Sequence, residues 1–258
     1  MNNYIAQHTA RPYQFKAAKE KLPVAYLGLG ILEWHGEHNA AGLDGVKADG
    51  IAIHFAKNFG GIVVPPLFWG DNRAEICELV FKPEIIKSAN FDHTLSICEK
   101  IGYNISELEA NAERSIQNGG WRLWIELVIH IFFELESFGY KCIVPIPGHY
   151  PLFDPLDQAI ETYKYQGGNC DIFIIKDSMY DGTKDSGDHA AKFETSLMMA
   201  LHPEMVELSR LDSDRSKPNI GVLGIDPRDH ASREFGNKII ARFDDLLKTH
   251  LMEIGLLK

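Results

Sequence analysis

The segment Glu33-Trp34-His35-Gly36-Glu37-His38, followed by Asp44, carries the densest set of chemically active side chains in the chain. Imidazoles and carboxylates fall within twelve residues of one another, directly after an apolar run. Zinc, manganese and iron(II) take imidazole and carboxylate together as ligands in proteins. The segment therefore predicts a divalent metal site in the loop that follows a strand.

Two further polar clusters also follow predicted strands. His149 stands in a Gly-His turn, and His189 and Glu194 come after a later strand. In open parallel sheets, ligands bind at the carboxyl ends of the strands. Each residue has an ordinary explanation on its own, such as a helix N-cap for Asp44. Their shared position at strand ends predicts one metal site that is built from three distant segments.

Apolar periodicity and Gly/Pro punctuation predict the elements that must position these side chains. Buried strands are predicted at residues 22–31, 62–64, 142–145, 172–175 and 219–223. Helices are predicted at residues 46–58, 121–137, 153–165, 189–201 and 232–254, with Asp44 as the N-cap of the first. Strand and helix alternate from residue 22 onward, which is typical of an α/β fold with a mainly parallel sheet between two helical layers.

Composition narrows the class of protein. The chain has 258 residues, which fits one domain over 1–258 with a helical insertion at 89–137. Its net charge of -10, with no basic block, argues against nucleic acid and anionic membrane as partners. The N-terminus shows no signal-peptide pattern, and the four cysteines form no C-x-x-C pair. We therefore expect a cytoplasmic protein in which Cys142 fills the core.

Other common motifs do not fit. Gly28-Leu29-Gly30 lacks the third glycine of a dinucleotide-binding loop, because Glu33 stands in its place. The chain contains neither a phosphate-binding G-x-x-x-x-G-K-[ST] loop nor a G-x-S-x-G nucleophile motif.

Taken together, the motifs resemble those of the creatininase family of metal-dependent amidohydrolases. The E-x-H-G-x-H motif with a following aspartate is Glu33, His35, His38 and Asp44 here. The N-G-H motif corresponds to Pro147-Gly148-His149. The D-x-H-A-G-x-x-E-T-S motif resembles Gly187-Asp188-His189-Ala190-Ala191-Lys192-Phe193-Glu194-Thr195-Ser196. The G-V-x-G-x-P motif resembles Gly221 to Pro227.

The resemblance implies a role for each matched residue. Five residues are implied as ligands of one or two divalent ions (Zn, Mn or Fe): Glu33, His35, Asp44, His149 and Glu194. Asp44 would bridge two metals, and His189, together with Glu194, would be catalytic, with His189 as proton shuttle. His38 and Asp188 would lie behind the ligands and hold imidazoles in one tautomer. Tyr150 and Trp69 are expected to contact the substrate.

The implied fold is a three-layer α/β/α sandwich of creatininase type, and the implied activity is hydrolysis of a C–N bond in a small cyclic amide or formamide. Two alternatives stay open. One is C–C hydrolysis of a cyclic diketone of the inosose type on the same metal site, and the other is a non-catalytic binding protein. The family also implies a homo-oligomer, often a hexamer. Pro147 replaces the asparagine of N-G-H, and Pro151 leaves any ligand role at that position to Glu194.

Overall fold

A five-stranded parallel sheet forms the centre of the computed structural model. The model describes residues 4–70, 94–104, 119–180 and 188–258, and residues 106, 107, 110, 114 and 117 between them. In the described residues the strands have the spatial order β1-β3-β2-β4-β5, and every pairing between them is parallel. The strands are β1 (Ile5–Ala6), β2 (Val24–Leu29), β3 (Ile62–Val63), β4 (Cys142–Pro147) and β5 (Asp171–Ile172).

Helices cover both faces of this sheet. Those in the described residues are α1 (Pro12–Lys21), α2 (Leu43–Phe59), α3 (Thr94–Ile101), α4 (Gly120–Ser137), α5 (Phe153–Tyr165), α6 (Lys192–Leu201), α7 (Pro227–His230) and α8 (Arg233–Glu253). Short 3₁₀ turns follow β4 at Tyr150–Leu152 and β5 at Asp177–Met179. Among the described helices, none combines the length and apolar character needed to cross a membrane.

Successive residues of β2 point into two separate cores. Val24 and Tyr26 pack with α2, α6 and α8, including Phe243. Ala25 and Leu27 pack with α4 and α5 on the opposite face. A strand buried on both faces must be apolar throughout, which explains the continuous apolar run at 22–31. Burial of each large apolar side chain stabilises the fold by about 1.5–3 kcal/mol. The predicted three-layer α/β/α sandwich is confirmed.

Three local predictions were wrong. Asp44 is not the N-cap of α2, because Gly42 holds that position and Asp44 lies inside the first turn. Residues 219–223 form no strand, and only Leu223 makes an isolated antiparallel bridge, with His189. His189 is therefore in an extended segment before α6, and α6 begins at Lys192 rather than at residue 189. In the last two cases, the bridge between His189 and Leu223 accounts for the local conformation.

Other differences lie at the ends and in the middle of the chain. β1 and α1 precede the first predicted strand, and Pro12 in the first turn of α1 is the sequence signal that marked its start. The 89–137 block contains α3 and α4, and α4 packs beside α5 in one helical layer. Cys77, residues 71–93 and much of 105–118 lie outside the described residues.

Candidate metal centre

The carboxyl edge of the sheet collects every residue that the sequence predicted as a metal ligand. Glu33 and His35 follow β2, and His149 follows β4. Asp44 comes from the first turn of α2 and Glu194 from the first turn of α6. All five side chains are buried. Buried charges are costly unless they are paired or bind metal, so this cluster needs a specific explanation.

Asp44 stands between two groups of donor atoms. The first donor group is Glu33, Asp44 and His149, and the second donor group is His35, Asp44 and Glu194. Asp44 Oδ2 lies 3.3 Å from His149 Nδ1, whereas Asp44 Oδ1 lies 3.0 Å from His35 Nε2. The two oxygens of one carboxylate therefore face different groups. This is the arrangement that a carboxylate bridging two metal ions requires.

Glu33 provides a test of whether a cation fits the site. Three imidazole nitrogens approach its Oε1 atom: His149 Nδ1 at 3.1 Å, His189 Nδ1 at 3.4 Å and His35 Nε2 at 3.5 Å. Within the described part of the chain, however, neither carboxylate oxygen of Glu33 accepts a hydrogen bond. A buried carboxylate without hydrogen bonds is strongly disfavoured. A divalent cation among these atoms would satisfy it, so the donor set fits a metal.

Electrostatics couple the imidazoles to the carboxylates. Burial opposes protonation of His35, but Asp44 outweighs burial and raises the pKa of His35 to about 9. Burial also opposes ionisation of Asp44, but His35 and His149 hold the pKa of that carboxyl well below its ordinary value. Without metal, the edge is therefore held together by an imidazolium paired with a carboxylate.

We expect the metal-free protein to lose stability between pH 7 and pH 9. A histidine whose folded pKa is raised from 6.5 to about 9 stabilises the fold fully below the unfolded pKa, and that contribution disappears as pH rises through 9. The loss should be on the order of 1–3 kcal/mol. The measurement is urea unfolding of chelator-treated protein at both pH values.

The comparison protein for this experiment is Asp44→Asn, in which His35 loses its strongest partner. Its unfolding free energy should change less over the same interval. The buried cysteine thiols titrate equally in both proteins and cancel in the comparison. A wild-type stability that is flat or rising from pH 7 to pH 9 would contradict the proposed His35–Asp44 pairing.

His189 lies beside the ligand cluster in a defined orientation. Its Nε2 atom is 2.7 Å from the backbone carbonyl of Trp34, and its ring stacks on His35 with centroids 4.6 Å apart. A carbonyl only accepts hydrogen bonds, so Nε2 carries a hydrogen, and the other ring nitrogen, Nδ1, faces Glu33 Oε1 at 3.4 Å. Glu33, His35 and His189 form a third donor group. His189 can therefore accept a proton, or a metal, at Nδ1.

His38 and Asp188 do not make the expected contacts with ligand imidazoles. His38 Nε2 lies 3.0 Å from the Ala190 carbonyl and 3.1 Å from Thr195 Oγ1. Asp188 instead accepts the backbone N–H groups of Phe193 and Glu194, at 2.6 and 3.1 Å. In the described residues, both side chains thus act on the start of α6, which carries Glu194.

The pKa values of His38 and Asp188 reflect this buried position. Burial lowers the pKa of His38 to about 4, so its imidazole is neutral near pH 7. Burial, followed by repulsion from Glu194, raises the pKa of Asp188 to about 7. Protonated Asp188 favours the folded state, and most of this contribution is lost between pH 4 and pH 7. The small remainder is lost above pH 7 in wild-type and Asp44→Asn protein alike.

A buried lysine next to the cluster was not predicted from the sequence. Lys47 Nζ lies 2.6 Å from Glu194 Oε1 and 3.1 Å from Asp177 Oδ2. Burial lowers the pKa of Lys47, but Asp177 and Glu194 outweigh it and raise that pKa well above its ordinary value. Two signals were available: Lys47 is three residues after Asp44, hence on the same side of α2, and Asp177 follows a predicted strand.

The two predicted substrate contacts have different surroundings. Tyr150 is half-buried after β4, and burial followed by the charge of Asp177 raises the pKa of its hydroxyl. The indole of Trp69 is 73% exposed to solvent. Its neighbour Phe68 packs against Gly45, next to Asp44. Tyr150 is thus placed beside the cluster, whereas the Trp69 side chain faces away from the protein.

Close backbone contacts bring α2 to the edge of the sheet. A methyl group on Gly30 would overlap the backbone of Gly45, and one on Gly148 would overlap the Asp44 carbonyl oxygen. We therefore expect Gly148→Ala to destabilise the protein by about 1–3 kcal/mol and to weaken metal binding, because α2 must move. Urea unfolding and metal analysis measure both effects.

The matched control is Gly42→Ala, where the nearest side-chain atom would be 3.4 Å from the added methyl group. This is an ordinary contact, so the stability should change by less than about 1 kcal/mol. Equal stability of the two variants would show that Gly148 and Asp44 do not approach each other this closely.

A separate group of possible ligands lies at the edge of the core, where Cys142 is buried and Asp171 and His250 are half-buried. The Cys142 thiol is 3.6 Å from Asp171 Oδ2, which also lies 2.6 Å from His250 Nε2. Burial, together with Asp171, raises the pKa of the Cys142 thiol. Metal binding needs the thiolate, so we interpret this group as a hydrogen-bonded cluster at the edge of the core. Cys142 is buried, as the sequence predicted.

The chain is similar in sequence and fold to known creatinine amidohydrolases. The model of the family described as creatininase, creatinine amidohydrolase, matches residues 120–243, which contain His149, His189 and Glu194. The creatinine amidohydrolase of Pseudomonas putida is 24% identical over 245 residues, covering 87% of this chain and 82% of that protein.

Solved structures share the fold. A crystal structure of creatinine amidohydrolase gives a TM-score of 0.64 at 19% identity and 97% coverage of both chains. A manganese form of creatininase gives 0.60 at 20% identity, covering 97% of this chain and 98% of the other. The family match, the curated relative and the buried donor cluster together support the creatininase family, and with it a hydrolase that has a site for divalent metal.

Proposed function

We propose that the chain hydrolyses a C–N bond in a small cyclic amide or formamide, in the manner of a creatinine amidohydrolase. The observation that carries this proposal is the position of Asp44, whose two oxygens face two buried donor groups at the edge of the sheet. The proposed ligands are Glu33, His35, Asp44, His149 and Glu194. When bound, divalent metal polarises a carbonyl oxygen and makes water acidic.

The residues around the cluster supply the remaining chemistry. In amide hydrolysis, a water oxygen bonds to the carbonyl carbon, the C–N bond breaks, and a proton moves from water to the leaving nitrogen. His189 Nδ1 faces the cluster while Nε2 is held by the Trp34 carbonyl. We assign His189 as the group that takes this proton and delivers it. General acid–base catalysis of this kind contributes about 10²–10⁴-fold to the rate.

The cavity beside the cluster favours a small substrate. It has a volume of about 290 Å³ and lies along the segment that contains Glu33, Trp34 and His35. Its rim also includes Lys100, which pairs with Glu37 at 3.0 Å, and Arg210. This volume is just below the usual range for ligand sites, about 300–1,000 Å³. A compact polar molecule suits it.

The test combines metal analysis with a substrate screen. Protein purified without chelators should contain one to two divalent ions per chain. Metal-supplemented protein should then hydrolyse creatinine, a formamide or a lactam. Turnover of inositol-derived cyclic diketones instead would establish the C–C hydrolase alternative. Metal binding without turnover of any class would favour the non-catalytic alternative, and absence of metal would contradict the proposed site.

The proposal extends to the state of the protein in the cell. We assign it to the cytoplasm, which fits the free thiols of Cys98, Cys142 and Cys170. We also assign it to a homo-oligomer, since α4 exposes Leu123 and Leu127. Light scattering coupled to size-exclusion chromatography measures the number of chains. A monomer would contradict this assignment.

A further inference from the structure

The carboxylates of the two donor groups differ in the number of hydrogen bonds that they accept. Glu33, in the first donor group, accepts no hydrogen bond within the described residues. Both oxygens of Glu194, in the second donor group, accept one. Lys47 Nζ donates to Oε1 at 2.6 Å, and the backbone N–H of Ala190 donates to Oε2 at 2.7 Å.

Lys47 is built into this position. Its side chain is only 1% exposed, and Asp177 holds the same ammonium group from the other side at 3.1 Å. The ammonium cannot turn into solvent without leaving two buried carboxylates unpaired, which is strongly unfavourable. The Lys47 charge therefore stays beside Glu194 whether or not metal is bound.

Ala190 holds the second oxygen in a similarly fixed way. Its φ angle of 54° is in the left-handed region, which is unusual for a residue other than glycine. Its carbonyl group accepts hydrogen bonds from the Thr195 hydroxyl and lies 3.0 Å from His38 Nε2. These contacts keep the Ala190 N–H directed at Glu194.

We infer that the two donor groups bind divalent metal with unequal affinity, and that Lys47 makes the second donor group the weaker one. A metal ion entering that group must share Glu194 with a fixed ammonium and a fixed N–H donor. The like charge of Lys47 also repels it, and repulsion inside a protein is far less screened than in water. Among the described residues, no lysine or arginine donates a hydrogen bond to the Glu33 carboxylate of the first donor group. This inference rests on the proposed metal-dependent function.

The experiment titrates Mn²⁺ into chelator-treated protein and follows free Mn²⁺ by electron paramagnetic resonance. Wild-type protein should show two classes of site that differ by at least about tenfold in Kd, the scale on which groups behind the ligands affect metal affinity. The double variant Lys47→Met/Asp177→Asn removes the ammonium together with its buried partner. Its weak site should tighten by about tenfold or more, and its tight site should be nearly unchanged.

A single variant gives the opposite effect and serves as the matched control. Asp177→Asn leaves Lys47 with Glu194 as its only carboxylate partner among these contacts, so the weak site should weaken further. Because Asp177→Asn retains the buried lysine–glutamate pair, it carries the test if the double variant does not fold. Circular dichroism and thermal unfolding establish whether each variant is native.

The outcomes separate this inference from the function on which it rests. Two equal Mn²⁺ sites in wild-type protein, or a weak site that Asp177→Asn does not weaken, would overturn the inference and leave the metal-dependent function intact. No change of the weak site in a folded double variant would also overturn it. Wild-type protein that binds no Mn²⁺ would overturn the proposed metal site itself.

Discussion

Replacing Asp44 with asparagine is expected to remove bound divalent metal and hydrolytic activity together. Asp44 is the carboxylate that both donor groups share, with Oδ1 at 3.0 Å from His35 and Oδ2 at 3.3 Å from His149. Asparagine keeps the shape but loses the charge and one acceptor oxygen. We expect metal affinity and turnover to fall by more than about 100-fold, the upper end for residues that only support ligands. Mass-spectrometric metal analysis and the hydrolysis assay measure both.

Asp49→Asn is the matched control, because Asp49 lies on the same helix and is half-buried. It belongs to neither donor group, so metal content and activity should be preserved. Full metal occupancy in a folded Asp44→Asn variant would show that the carboxylate does not bridge. Loss of metal from both variants would point to disruption of α2 rather than to a ligand.

Replacing His189 with alanine should leave metal content intact and lower turnover by about 10²–10⁴-fold. The imidazole has Nε2 fixed by the Trp34 carbonyl and Nδ1 directed toward the cluster, so it can receive a proton there. The proposed five ligands all persist in this variant. Metal analysis and kcat in the presence of saturating substrate separate binding from proton transfer.

The control for His189 is His130→Ala, since His130 is exposed on α4. This variant should match wild-type turnover. If the His189→Ala variant loses metal as well as turnover, then Glu33, His35 and His189 bind metal as a ligand set. The proton-transfer role of His189 is then wrong. Unchanged turnover with full metal would also remove that role.

Most of the sheet could be predicted from the sequence because the pattern is local. The run at 22–31 is apolar without alternation, which is typical of a parallel strand covered on both faces. The helices at 153–165 and 232–254 were predicted within about two residues, since an apolar stripe at helical spacing needs only its own segment. The same reasoning failed at 219–223, where an apolar run became a loop with a single bridge from Leu223 to His189.

The placement of His189 shows why the rest could not be predicted. Its local sequence suits a helix start, but pairing with Leu223 keeps it extended and turns its ring onto His35. His38 and Asp188 show the same limit. Their types predicted a supporting role, whereas the tertiary contacts direct both to the start of α6 instead of to an imidazole.

By itself, the sequence determined the chemistry that this protein contains: carboxylates and imidazoles that follow strands, an α/β alternation that brings strand ends to one edge, and therefore a metal site. Only the tertiary structure decided how those groups are arranged relative to one another. It placed Asp44 between two donor groups and buried Lys47 against Glu194. The physical reason is that the strength of a charge interaction depends on the distance and burial of partners far away in sequence, and residue spacing along the chain carries neither.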